Sequence, residues 1–177
     1  IRGPYGKGYP MEEFYGKEIV LVGGGCGVAP LRGVSEYILK NPKMFRKVSL
    51  FYGFRNEKEI LFKRDFKGLK RWFNFNITLD KGSKKWKGNV GLITSLLDET
   101  EINENSIAII CGPPIMIKFV IEALKGKNIR EGNIYVSLER MMQCGIGKCG
   151  RCMIEDVYVC KDGPVFRYVD IKEVKDE

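Results

Sequence analysis

Apolar and polar residues alternate along this chain in blocks, and the block lengths separate strands from helices. Residues 18–22 (E-I-V-L-V) form a short apolar run ending in glycines, which suits a strand buried on both faces of a parallel sheet. Residues 30–39 then place Leu31, Val34, Tyr37 and Ile38 at helical spacing, and Asn41-Pro42 stops the helix. The same alternation recurs. Residues 47–52 and 73–79 predict a second and third strand, with a helix or two short ones over 57–69 between them. Residues 90–97 predict a short helix, 106–111 a fourth strand, 114–125 a helix and 133–138 a fifth strand. The predicted fold is α/β: an open five-stranded parallel sheet with helices on both faces, followed by a small C-terminal unit. Ligands of such sheets bind outside the carboxyl ends of the strands, and each glycine-rich motif of this chain falls at such an end.

Two of those motifs carry chemistry. The first strand runs into V-G-G-G-C-G-V-A-P, with Gly24, Gly25, Gly27 and Pro30. Glycines here remove side chains so that a pyrophosphate reaches backbone N–H groups at a helix start, and Pro30 suits the first turn. The loop is not the usual G-x-G-x-x-G with an acid about 20 residues later, which counts against an ordinary Rossmann dehydrogenase. The fourth strand ends in C-G-P-P-I-M, a sharp turn that leaves Cys111 at the strand tip with Gly112, Pro113 and Met116 behind it. Cys111 also reads as a small buried residue at a turn, and Cys26 as packing.

The C-terminal unit is the most specific part. Cys144, Cys149, Cys152 and Cys160 follow C-x4-C-x2-C-x7-C, with Gly145, Gly147 and Gly150 between the first three. That ordering matches plant-type [2Fe–2S] sites, where three thiolates come from one loop and the fourth from further on. Glycines let the backbone wrap a cluster and turn amides toward the sulfurs. Zinc also takes four cysteines, but its sites usually use two separated C-x2-C pairs.

Composition narrows the rest. With 177 residues the chain holds one packed domain plus an appendage. There is no histidine, which excludes His-based acid–base catalysis, catalytic triads and Rieske-type ligation. The net charge of +8 reads as a lysine-rich solvated surface. A nucleic-acid site needs clustered basic residues interleaved with aromatics; Lys81–Lys87 (K-G-S-K-K-W-K) is the one candidate stretch, and a mobile surface loop explains it more simply. No apolar run reaches the ~20 residues of a membrane span. Six cysteines at cluster spacing fit a reducing cytoplasm.

Taken in order, G-G-G-C-G-V-A-P, Y-G-F-R (Tyr52–Arg55), W-K-G-N-V-G (Trp86–Gly91), C-G-P-P-I-M and the cysteine run resemble the ferredoxin–NADP reductase superfamily. The likeness is to its branch with a C-terminal [2Fe–2S] domain. That branch comprises electron-transfer subunits of dihydroorotate dehydrogenase, gamma subunits of cytoplasmic sulfhydrogenases and the flavin subunit of anaerobic sulfite reductase. The short last gap and C-K-D-G-P-V-F look more like the hydrogenase and sulfite-reductase members. The resemblance implies NAD(P)H on the glycine loop (Gly24, Gly25, Gly27, Pro30) and the nicotinamide beside Cys111, Gly112, Pro113 and Met116. Arg55 and Asp80 fall on the adenosine side. It implies metal ligation by Cys144, Cys149, Cys152 and Cys160, and a catalytic partner subunit with further iron–sulfur clusters.

It also implies an N-terminal FAD-binding barrel. Residues 1–16 resemble that barrel's last loop, so the expected division is 1–16 barrel tail, 17–139 NAD(P)-binding domain and 140–177 cluster domain. The intact protein is expected to use FAD. Beginning at Ile1, the chain is expected to be the C-terminal two-thirds of a longer subunit. Two other readings stay open: a redox-sensing, nucleotide-binding module without turnover, and a zinc-stabilised nucleotide-binding domain.

Overall fold

The computed structural model describes residues 2–171, so the last six residues of the expected cluster domain lie outside the described ones. Strand β1 (Ile19–Gly24) leads through a turn into helix α1 (Val28–Lys40). Then come β2 (Val48–Phe54), α2 (Phe66–Trp72) and β3 (Asn74–Leu79). A two-residue β4 (Asn89–Val90) precedes α3 (Ile93–Asp98). Next are β5 (Ile107–Cys111), α4 (Pro114–Gly126) and β6 (Ile134–Ser137). The C-terminal unit adds a hairpin, β7 (Met153–Ile154) with β8 (Val157–Tyr158), then β9 (Val165–Arg167) and a one-turn α5 (Tyr168–Ile171).

Among the described residues the main sheet has seven strands in the order β4-β3-β2-β1-β5-β6-β9. The five strands expected from the sequence form its parallel body. Two short strands extend it at the edges. β4 pairs with β3 in parallel, and its second residue, Val90, takes the first position of the expected 90–97 helix, which begins at Ile93 instead. β9 pairs antiparallel with β6, so the chain leaves the sheet after Ser137 and rejoins it at Val165, in register with that same serine. The segment 57–69 does not make one helix: Phe62 takes a left-handed φ of 52°, and α2 starts only at Phe66.

The alternation of β1 explains the two layers. Ile19 and Leu21 face one side with Leu31, Val34 and Ile38 of α1. Val20 and Val22 face the other with Leu96 and Leu97 of α3 and Ile117, Val120 and Leu124 of α4. Each of these side chains is fully or almost fully buried, which stabilises the fold by roughly 1.5–3 kcal/mol per large apolar group. Helix α1 ends where Asn41 donates from Nδ2 to the Tyr37 carbonyl (2.9 Å) and Pro42 forbids continuation. Helix α4 begins at Pro114, whose missing N–H costs nothing in a first turn.

Strands run outward from β1 to β2, β3 and β4, then the chain returns to place β5 on the opposite side of β1. The strand order therefore switches between β1 and β5. No helix among the described residues is long and apolar enough to cross a membrane.

Candidate functional site

The two glycine motifs meet at this switch. Gly23 of β1 and Cys111 of β5 are register partners, so the loops that follow them emerge side by side. A Cβ on Gly24 would overlap the Met116 sulfur and lie 3.1 Å from Pro113 Cδ. One on Gly27 would lie 2.7 Å from the Gly112 amide nitrogen and closer still to the Cys111 carbonyl. One on Gly112 would lie 2.5 Å from Met116 Cε. Gly27 and Gly112 are thus small because the two loops pack backbone against backbone, and Gly24 because the Met116 and Pro113 side chains lie over it. Gly25 differs: its φ of 54° favours glycine, and nothing lies within 4 Å above it. Of the three expected loop glycines, Gly25 leaves open space over its Cα. Helix α1 starts next to it with no side-chain cap, and Pro30 sits in its first turn.

Cys111 is buried, and burial pushes its thiol up to about 11 despite the nearby Ser137 hydroxyl, which pulls the other way. The thiol is neutral at physiological pH, so it acts by shape and weak polarity rather than as a thiolate. Ser137 is its register partner on β6 and is itself buried. The Tyr9 hydroxyl reaches the same place. It is buried with no well-formed hydrogen bond, faces Ser137, and is held protonated by burial. Neither Tyr9 nor Ser137 was apparent from the sequence. Tyr9 lies in a Gly/Pro/Tyr-rich stretch without a period, and Ser137 reads as an ordinary strand end.

Arg55 and Asp80 are exposed at the carboxyl ends of β2 and β3. Their loops run together: the Asp80 amide donates to the Phe54 carbonyl (2.9 Å) and the Lys81 amide to the Arg55 carbonyl (3.0 Å). A cavity of about 240 Å³ lies on the α1 face, lined by Val28, Arg32, Tyr52, Phe62 and Leu69 among others. An ion pair between Arg32 Nε and Asp65 Oδ2 (2.6 Å) stands beside it, and none of the sequence-predicted site residues line it.

Beyond Ser137 the chain enters the cysteine loop. Gly145, Gly147 and Gly150 all take left-handed φ values, 74°, 70° and 77°, which fold residues 144–152 into a tight coil. The coil aims amides at sulfur. Ile146 and Lys148 donate to Cys144 Sγ (3.5 and 3.4 Å), and Gly147 donates to Cys160 Sγ (3.2 Å). The amides of Ile146, Lys148 and Cys149 lower the Cys144 thiol to about 6, while burial and the neighbouring Cys152 raise that of Cys160 against the Gly147 amide. The β7–β8 hairpin explains the last gap. Pairing of Met153 with Tyr158 returns the chain on itself, and the Val159 amide donates to the Cys152 carbonyl (3.2 Å). Cys160 is thereby set against Cys152, just as Cys149 is set against Cys144.

All four thiols are free, and they fall into two neighbouring pairs, Cys144 with Cys149 and Cys152 with Cys160, with backbone amides aimed at Cys144 and Cys160. Among the described residues, no group of three or more His, Cys, Asp or Glu side chains is arranged to hold a metal ion. Two thiol pairs with amide donors fit a binuclear iron–sulfur group, which takes two cysteines on each iron.

Comparisons with known proteins support an NAD-binding domain followed by an iron–sulfur domain. Residues 21–122 match the oxidoreductase NAD-binding domain, and residues 139–172 match the iron–sulfur cluster binding domain of dihydroorotate dehydrogenase B. The chain is 41% identical over 190 residues to sulfhydrogenase 2 subunit gamma of Pyrococcus furiosus, covering 96% of this chain and 65% of that protein. It is 37% identical over 167 residues to the "Probable dihydroorotate dehydrogenase B (NAD(+)), electron transfer subunit" of Thermococcus kodakarensis, covering 94% and 64%. The chain thus spans slightly less than two thirds of the length of these relatives. Among solved structures, an NADH-dependent reduced ferredoxin–NADP oxidoreductase superposes with a TM-score of 0.68 at 25% identity, covering 98% of this chain and 59% of that one. The cytochrome b5 reductase domain of Ulva prolifera nitrate reductase gives 0.60 at 26% identity, covering 68% and 48%. The chain belongs to the oxidoreductase NAD-binding domain family, in the ferredoxin reductase-like branch that carries a dihydroorotate dehydrogenase B-type iron–sulfur domain.

Proposed function

We propose that this chain is the nucleotide- and cluster-bearing part of an electron-transfer subunit, relaying electrons between NAD(P)H and a catalytic partner subunit. One observation carries the reading. Cys111 and Ser137 are paired across β5 and β6 beside the glycine loop, and seven residues after Ser137 the chain reaches Cys144. The nucleotide crevice and the cysteine loop thus occupy the same end of the same sheet.

In this reading the open backbone at Gly25 and the uncapped start of α1 receive the dinucleotide pyrophosphate. Arg55 and Asp80 flank the adenosine, and Met116, Pro113 and Gly112 form a dry wall beside the nicotinamide. Cys111 and Ser137 keep that wall uncharged, so no thiolate stands ready to add to the oxidised nicotinamide ring. Cys144, Cys149, Cys152 and Cys160 hold a [2Fe–2S] group, whose anionic charge the amides of Ile146, Gly147 and Lys148 offset. FAD, bound by a barrel such as the resemblance implies, supplies the conversion between two-electron and one-electron transfer when present. The partner is a catalytic subunit of a redox complex with iron–sulfur clusters of its own, in the cytoplasm.

The test is iron and zinc analysis with a visible spectrum on anaerobically purified protein, followed by titration with NADH and NADPH in the presence of FAD. Two irons per chain and a visible band that bleaches on nucleotide addition support the reading, and the faster nucleotide identifies the natural donor. Stoichiometric zinc without colour overturns it.

A further inference from the structure

The N-terminal stretch, aperiodic in sequence, is not a free linker in the fold. Three consecutive residues grip both halves of the cysteine loop. The Tyr5 ring lies face-on over Gly145, the residue after the first ligand: a Cβ there would sit 2.5, 2.6 and 2.9 Å from Tyr5 Cζ, Cε1 and Cε2. Gly6 abuts the Gly163 carbonyl, where a Cβ on Gly6 would come 2.8 Å from the carbonyl carbon. The Lys7 amide donates to that same carbonyl, and Lys7 bridges Pro164. Gly163 lies three residues past the last ligand, Cys160. Two residues on, Tyr9 turns inward toward Ser137 and Cys111. One strap thus touches the first cysteine's turn, the last cysteine's segment and the strand ends at the nucleotide crevice.

We infer that residues 5–9 clamp the cysteine loop shut and fix it against the nucleotide crevice, with Tyr5 as the positioning residue. The physical reason lies in what the ring covers. Glycine at 145 is needed twice, once for its φ of 74° and once to admit the ring. The ring lies over the peptide that leads into Ile146 and Lys148, the amides that donate to Cys144 Sγ. With the ring in place the turn keeps its shape and those donors stay aimed at sulfur. Without it the coil opens from its first turn, because no regular secondary structure supports residues 144–150. The clamp rests on the cluster reading only for what the loop holds; the grip is a property of the polypeptide.

Hydrogen–deuterium exchange of the whole protein, as isolated, tests this on Tyr5→Ala, Tyr5→Phe and Lys7→Pro. The expected result is exchange in residues 145–148 faster by about tenfold in Tyr5→Ala, with peptides of β1, β5 and α4 unchanged. Tyr5→Phe keeps the ring and behaves as wild type. Lys7→Pro removes the donor to Gly163 and loosens 161–164 together with 145–148. In iron-loaded protein, Tyr5→Ala also loses its visible band to a ferrous chelator faster. Unchanged exchange at 145–148 in Tyr5→Ala overturns the inference, as does acceleration spread evenly over the sheet. Should Tyr5→Ala not fold, Tyr5→Leu and Lys7→Pro decide on the same readout. A zinc-containing, colourless wild type would refute the proposed function and leave the exchange comparison fully informative about the clamp.

Discussion

Alanine at Gly27 adds one methyl group where two loops touch through their backbones. Gly27 has φ −61° and ψ −12°, values any residue adopts, so the substitution imposes no conformational strain of its own. Its whole effect is steric. The new Cβ would meet the Cys111 carbonyl carbon and oxygen and, at 2.7 Å, the Gly112 nitrogen, none of which belongs to a side chain that can rotate away. Ordinary contact begins near 3.4 Å, so the β1 and β5 loops must separate by most of an ångström. Overpacking of this kind costs about 1–3 kcal/mol, and backbone neighbours put it at the upper end, about 2–3 kcal/mol. For a chain of this size that lowers Tm by roughly 4–12 °C. Gly33 is the control. It lies exposed within α1 with nothing within 4 Å, so Gly33→Ala should stabilise by about 0.5–1 kcal/mol through helix propensity alone. Urea and thermal unfolding of both variants measure the difference, and nucleotide affinity should fall in Gly27→Ala and hold in Gly33→Ala. A Gly27→Ala protein as stable as wild type would refute the close packing of the two loops, and with it the account of the crevice.

The cysteines separate by environment in further experiments. Cys160→Ser should lose bound metal while Cys26→Ser retains it, as metal analysis will show, because Cys160 is buried in the ligand loop and Cys26 lies exposed on the glycine turn. Native protein treated with iodoacetamide at pH 8 should be labelled at Cys26, with Cys111 reacting only after unfolding; equal rates by mass spectrometry would contradict its burial. Cys111 also predicts an alkaline limb in stability. Its thiol titrates near 9 when unfolded and about 11 when folded, so unfolding releases its proton between those values. Its contribution is fully present below pH 9 and lost as pH rises toward 11, and this limb should be missing from Cys111→Ala in urea titrations across that range.

The sheet's parallel body was legible because β1, β2, β5 and β6 are buried on both faces and read as unbroken apolar runs. β3 showed as alternation in F-N-F-N-I-T-L, with an exposed start and a buried end. The edge strands were not legible for a matching reason. Asn89 and Val90 are exposed, so no apolar pattern marks β4, and Gly91 hid the break between it and α3. β9 exists because Val165–Arg167 find β6 some thirty residues back in sequence, a pairing that local periodicity does not encode. At the site, the cysteine spacing carried the proposed ligand set, since glycine positions and thiol order are both local. The roles of Gly24 and Gly27 were not readable, because a glycine kept small by a neighbouring loop looks like one kept small for a phosphate. Tyr5, Tyr9 and Ser137 were silent for the same reason: their neighbours are remote in sequence.

The β7–β8 hairpin turns the distance between the third and fourth cysteines into a question of parity. Cys152 and Cys160 stand at the base of a two-stranded ribbon, on either side of the Met153–Tyr158 pair. Lengthening the ribbon by one residue on each arm adds two to the gap and leaves the base, and so the ligands, where they are. Adding a single residue forces a bulge or turns one cysteine to the wrong face. Loop length here can therefore drift in steps of two while the ligand cage stays intact, and the ribbon's tip becomes the part of the cysteine unit most free to change shape for a different partner.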